Sequence, residues 1–184
     1  MLYGLSDFGL ARRLSLTLAG GRELLQIHKE VFRKFWAWSD AVEMEAFLYD
    51  RLETVFGWQV NVPGGFDPKT RKPIANPRSL RNFPMQAHGA EMMRLACCLA
   101  TEAGIRVAAV VHDALLVEAP EEEIEDVADR TMNFMREASE IVLPRFPLRA
   151  ETNIIRYPDR YTDPRGKDTW EAVGRLLRAY PDNL

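Results

Sequence analysis

The sequence predicts an α+β fold, with long helices around a small antiparallel sheet and a β-hairpin carrying His112 and Asp113. Three observations predict it. Apolar residues recur at three- and four-residue spacing through Leu24, Ile27, Val31, Phe35, Trp38, Val42, Ala46 and Tyr49, the signature of an amphipathic helix. Two short aliphatic runs, Ile105 to Val111 and Leu115 to Val117, are separated only by His112, Asp113 and Ala114, the signature of a tight hairpin. The 184 residues are 47% hydrophobic and 28% charged, enough for a sizeable core and a soluble surface, which excludes disordered and collagen-like classes.

The elements follow in order. Ser6 can cap a short helix carrying Phe8, Leu10, Ala11, Leu14 and Leu18, with Gly20-Gly21 as its stop. Arg22 to about Asp50 reads as one long helix. Leu52 to Val62, rich in Thr, Val, Phe and Trp with Gly57 near its middle, reads as a small hairpin or bent ribbon. Pro63 to Pro77 carries Gly64-Gly65, Asp67-Pro68 and Lys72-Pro73, the turn residues of an exposed loop. Arg78 to Ala103 is helical with an interruption near Pro84, and Gly104 ends it. After the hairpin, Pro120 opens a helix whose first turn holds Glu121, Glu122 and Glu123, suited to its positive end. Its buried stripe is Ile124, Val127, Ala128, Thr131, Met135, Ala138 and Val142. Leu148 to Ile154 alternates apolar and polar residues, predicting a strand that pairs with the hairpin. Tyr157 to Gly166 is loop and Trp170 to Tyr180 a short helix.

Charge narrows the partners. Lys plus Arg total 24 against 27 acidic residues, so the net charge of −3 attracts neither nucleic acid nor an acidic membrane in bulk. Any DNA contact must come from a local patch. Cys97 and Cys98 are adjacent and suggest neither a structural disulfide nor a metal cage, which fits a reducing cytoplasm. No basic-then-apolar leader and no stretch near the roughly 20 apolar residues of a membrane span is present, so the reading is a cytoplasmic protein without a membrane partner.

Two constellations could carry chemistry. An Asp at the junction of two buried strands is held rigidly with its carboxylate outward, a hard oxygen ligand suited to Mg²⁺. Asp is also common in turns, so local sequence leaves both readings of Asp113 open. Helical metal-dependent phosphohydrolases share the His-Asp pair, but the flanks here are strand-like and only His28 and His88 remain as further histidines. His28 reads as a helix-surface residue, and His88 equally as a packing, hydrogen-bonding or catalytic one. The second constellation runs from Asn76 to Gln86 and combines the cations Arg78 and Arg81 with the amides of Asn82 and Gln86, preceded by Lys69, Arg71 and Lys72. Cations hold phosphates and amides reach base edges, though a solvated loop and helix start is the commoner origin of such clusters.

At these residues the chain resembles the family A DNA polymerases. Asn82-Phe83-Pro84-Met85-Gln86 resembles the family's Asn-x-Pro-x-Gln motif, and Val111-His112-Asp113 its palm motif at the carboxylate hairpin. Tyr3-Gly4-Leu5-Ser6-Asp7-Phe8-Gly9-Leu10-Ala11 is similar to the end of the fingers helix and the turn after it, and Thr54-Val55-Phe56-Gly57 to the Thr-x-x-Gly signature. The resemblance runs from Tyr3 to about Ile155. It implies partial fingers over residues 1–62, an exposed basic loop over 63–77, a palm portion over 78–156 and a C-terminal tail over 157–184.

It further implies that Asp113 is one of two aspartates holding catalytic Mg²⁺, that His112 lies by the primer terminus, and that Tyr3 sits near the templating base and the incoming nucleotide. Arg71, Lys72, Arg78, Arg81, Asn82 and Gln86 would contact DNA. The implied function is the C-terminal part of a DNA-directed DNA polymerase, performing template-directed nucleotidyl transfer with two metals when complete. Its partners would be primer-template DNA, deoxynucleoside triphosphates and an N-terminal polymerase fragment. Family members carry the other aspartate and the triphosphate-clasping Lys and Arg in segments before the point where this chain starts. They also have Glu where Ala114 stands, and Gly-Thr-Ala where Ala87-His88-Gly89 stands. The alternative is a non-catalytic DNA-binding or partner-binding module derived from a polymerase palm.

Overall fold

The computed structural model describes residues 5–71 and 74–179. They form six α-helices and two antiparallel two-stranded sheets, in the order α1 (Asp7–Arg13), α2 (Leu18–Val31), α3 (Arg33–Tyr49), β1 (Arg51–Glu53), β2 (Gln59–Asn61), α4 (Pro77–Glu102), β3 (Arg106–Val111), β4 (Ala114–Glu118), α5 (Ile124–Val142) and α6 (Lys167–Ala179). The predicted class holds: long helices with small antiparallel hairpins.

Ser6 caps α1, its hydroxyl accepting the Gly9 N–H at 3.2 Å. The helix is shorter than the periodicity predicts, ending at Arg13, and Gly20-Gly21 lie in the first turn of α2 behind the Thr17 cap. Those glycines have a different purpose from a stop. A Cβ on Gly21 would stand 2.5 Å from the Asp7 carbonyl oxygen and 2.9 Å from the Ala11 Cβ, so α1 and α2 cross where only glycine fits. Arg22 reinforces the crossing through its Nε to Asp7 Oδ2 at 3.0 Å. With the Phe8 N–H as a second donor, this bond holds the Asp7 carboxyl below its usual value of 3.8.

The predicted single helix over 22–50 is two. Phe32, at φ −105° and ψ 47°, breaks it, and Arg33 Nε donates to the Glu30 carbonyl at 2.9 Å. A one-residue break barely shifts the helical phase, which is why the apolar spacing runs through it. An aromatic group gathers at the joint: Trp36 Nε1 donates to His28 Nδ1 at 3.1 Å, and the His28 ring packs 4.6 Å from that of Phe32. His28 is thus a half-buried partner of Trp36.

Asp50, in the left-handed region at φ 54°, turns the chain from α3 into β1, and β1 pairs with β2 in the register Arg51↔Asn61, Leu52↔Val60, Glu53↔Gln59. Gly57, at φ 82°, makes the turn of this ribbon. Asn76 caps α4 through the Arg78 N–H at 3.0 Å, with Pro77 in the first turn. α4 then runs unbroken through Pro84, correcting the predicted interruption. The lost hydrogen bond to residue 80 is tolerated because Leu80 and Ala87 on either side are buried in tertiary packing.

The core lies in two clusters along α4. Val42, Ala46, Leu52, Val62, Ala75 and Leu80 pack near its start, with Val60 and Phe83 against them. Ala100, Ile105 and Val127 pack at its end, flanked by Val107, Val117, Ala119 and Phe134. One short 3-10 turn over Glu121–Glu123 precedes α5, so Pro120 opens that turn first. Residues 148–154 form no strand. Leu148 N–H donates to Ser139 Oγ at 2.9 Å and Arg156 pairs with Glu125 at 2.7 Å, so the segment returns along α5 and leaves the hairpin two-stranded. The alternation is not matched by burial: Leu148 and Thr152 are exposed, and Ala150 and Ile154 only half-buried, so the pattern alone does not make a strand. Among the described residues, no helix is long and apolar enough to cross a membrane.

Candidate nucleic-acid interface and carboxylate hairpin

The hairpin pairs in the register Arg106↔Glu118 to Val111↔Ala114, with an irregularity between Val107 and Ala109. Val107, Ala109, Leu115 and Val117 are half-buried while Val110, Val111 and Leu116 are exposed, so these are not the buried strands that the sequence predicts. Arg106 closes its base on Glu118 at 2.6 Å. Only His112 and Asp113 stand between the strands, both exposed, with His112 in the left-handed region at φ 55°. This two-residue turn leaves Asp113 exposed at the tip of the hairpin. Among the described residues no group of three or more His, Cys, Asp or Glu is placed to hold a metal. A lone hard carboxylate still fits Mg²⁺, which takes one or two protein carboxylates and completes its shell with water and phosphate.

The second constellation is a stripe on α4. Arg78, Asn82 and Gln86 follow at four-residue spacing and therefore share one face. Arg78 and Gln86 are exposed; Asn82 is half-buried, and its Oδ1 is buried with no hydrogen-bond partner. Arg78 and Asn82 line a cleft of about 300 Å³ with Ser6, Lys29, Trp36 and Ser39.

Arg81, one residue off this stripe, does something else. It reaches α3, pairing with Glu43 at 2.6 Å and Asp40 at 2.9 Å, which bolts the start of α4 to α3 and offsets its charge. In the preceding loop, Arg71 is exposed at φ 54°. The Asp67 carboxylate folds that loop, accepting the Thr70 and Lys69 N–H groups at 2.8 Å each, and these bonds keep its carboxyl below the usual range. Tyr3 and Lys72 lie outside the described residues.

Sequence reasoning missed Glu91. It is 1% exposed on the face of α4 that bears Ala87, and Thr54 Oγ1 donates to its Oε1 at 2.5 Å. The signal was there: at four-residue spacing from the buried Ala87, Glu91 falls on the inward face of α4.

Comparison with known proteins bears on this geometry. The model of DNA polymerase family A matches residues 1–157. The chain is 32% identical over 162 residues to the thermostable DNA polymerase I of Thermus aquaticus, covering 84% of this chain and 19% of that protein. It is 29% identical over 165 residues to the DNA polymerase I of Rhizobium leguminosarum, covering 82% and 16%. The structure aligns at a TM-score of 0.66 and 25% identity with the POL domain of Pol1 from M. smegmatis in complex with DNA primer-template and dNTP, covering 74% of this chain and 25% of that one. The fold and its motifs thus define a polymerase-domain region. The chain belongs to DNA polymerase family A, spanning under a fifth of the curated relatives described.

Proposed function

We propose that this chain is the C-terminal palm and part of the fingers of a DNA-directed DNA polymerase, and that it grips the primer-template duplex with α4 while presenting Asp113 to the reacting phosphate. The observation that carries this is the arrangement along one continuous helix: Arg78, Asn82 and Gln86 form a single stripe, and α4 leads directly into the hairpin with Asp113 at its tip. The hairpin has the reach for it. From Ile105 to His112 an extended chain covers about 23 Å, and α4 rises by about 24 Å from Gln86 to Glu102. Packed back on α4, the tip and the stripe can face one duplex.

Each residue has a role of its own. Arg78 holds a backbone phosphate, while Asn82 and Gln86 offer amides to the minor-groove edges, where contacts test pairing shape without reading sequence. Lys69 and Arg71 add cations from the loop. Asp113 would hold Mg²⁺ together with a second carboxylate from outside the described residues; when bound, the metal neutralises charge on the transferring phosphoryl group. His112 lies beside the primer terminus, and Tyr3 near the templating base.

The test is single-nucleotide incorporation with a polymerase segment that supplies the second aspartate and the triphosphate-binding residues, added in trans. Incorporation should appear with the wild-type chain and fall at least about a hundredfold with Asp113→Asn. Incorporation unchanged by Asp113→Asn would refute the hairpin as the metal site. The chain alone should not extend a primer.

A further inference from the structure

The turn of the β1–β2 ribbon and one face of α4 are joined by a set of bonds that the duplex contacts leave unused. Thr54, buried in that turn, donates its hydroxyl proton to Glu91 Oε1 at 2.5 Å and accepts the Trp58 N–H at 3.0 Å. One turn of α4 earlier, His88 Nδ1 lies 2.6 Å from the Pro84 carbonyl and Nε2 accepts the Val55 N–H at 3.3 Å. A carbonyl only accepts and an amide N–H only donates, so the two bonds together require the neutral tautomer with its proton on Nδ1. The Trp58 ring completes the joint, edge-on to Phe83 at 6.0 Å and beneath the Arg94 guanidinium at 5.8 Å. Glu91 Oε2 is buried without a hydrogen-bond partner, and Arg94 approaches only Oε1, at 3.9 Å. A carboxylate held this way depends on Thr54 for its one close donor.

We propose that Thr54, His88 and Glu91 are positioning residues that lock the rotation of α4 about its own axis against the β1–β2 turn, and so set which way Asn82 and Gln86 face the duplex. The proposal rests on the duplex-binding role of α4 given above. The partners sit on the face of α4 that looks toward the ribbon, Phe83, His88, Glu91 and Arg94, while Arg78, Asn82 and Gln86 occupy a neighbouring stripe. A helix held on one side by bonds of fixed direction presents the other side at a fixed angle. Phosphate contact through the long, flexible Arg78 tolerates a small rotation; amide contacts to base edges do not.

The experiment uses the full chain with Thr54→Val, which keeps the shape and removes the hydroxyl, Thr54→Ser, which keeps the hydroxyl, and His88→Ala. Binding to primer-template duplex is measured by fluorescence anisotropy across a salt titration, well below the melting temperature of each variant. Thr54→Val and His88→Ala should each weaken binding roughly tenfold with an unchanged salt slope, while Thr54→Ser stays within about twofold of wild type. The ¹⁵N shifts of the His88 imidazole should show the Nδ1–H tautomer. Variants that melt lower yet bind the duplex like the wild type would overturn the positioning role, as would an Nε2–H tautomer. A wild-type chain that binds no duplex would instead refute the duplex reading, and the positioning role with it.

Discussion

Asp113 and Arg81 show how differently two charged residues can be legible. The place of Asp113 was readable because its strand flanks are local: apolar runs on both sides leave a two-residue turn with Asp113 exposed in it. Arg81 was not, because its partners Asp40 and Glu43 lie on another helix and nothing in the neighbouring residues announces them. Its pairing with α3 makes a residue-scale prediction. Arg81→Ala should lower stability through the lost α3–α4 pairing and leave the salt slope of DNA binding nearly as it was, read by thermal melting alongside anisotropy. For Glu91 the helical spacing marked the inward face, but its donor Thr54, 37 residues away, was hidden as the partners of Arg81 were. At position 114, Ala removes an outer carboxylate that water can replace around Mg²⁺. In the completed polymerase, Ala114→Glu should therefore change incorporation only modestly across a magnesium titration, while Asp113→Asn abolishes it.

Helices α1 to α3 show where pattern reading fails between elements. Gly20-Gly21 carry the usual mark of a helix end, yet their role is set by a neighbouring helix that passes too close for a Cβ. Gly21→Ala should cost about 1 to 3 kcal/mol, since the Asp7 backbone must shift to admit the methyl, and denaturant melting will read it. The same crossing has a pH dependence. Asp7 titrates below 3.8 in the folded chain, so its contribution is present above that value and is lost as pH falls through the lower folded value. The stability difference between wild type and Asp7→Asn should narrow below about pH 4, and it will be small, because the pair with Arg22 is exposed. Elsewhere the same limit recurs. Phe32 breaks the helix without breaking its periodicity, and the 148–154 segment alternates like a strand while bonding to α5. Period suggests a shape; it does not report what packs against it.

Across the whole molecule, α4 is the organising element. It joins the core under the ribbon to the core under the hairpin, and it carries the stripe proposed to meet DNA. This much was legible in the order of motifs, since Asn82 to Gln86 and His112-Asp113 stand at the separation that one long helix and one strand span. The continuity of α4 through Pro84 was not, because local propensity argues for a break and only the burial of its flanks overrides it. The most direct measurement of the central claim is the salt dependence of primer-template binding by the wild-type chain and by Arg78→Ala, with Asn82→Ala and Gln86→Ala beside them. Each phosphate contact adds about 0.9 to the slope of log affinity against log salt on duplex DNA. Arg78→Ala should lower the slope by about that amount for every sequence tested, whereas the amide variants should weaken binding at an unchanged slope. A slope that Arg78→Ala leaves unaltered, or no duplex binding even at low salt, would contradict the claim that α4 grips the primer-template.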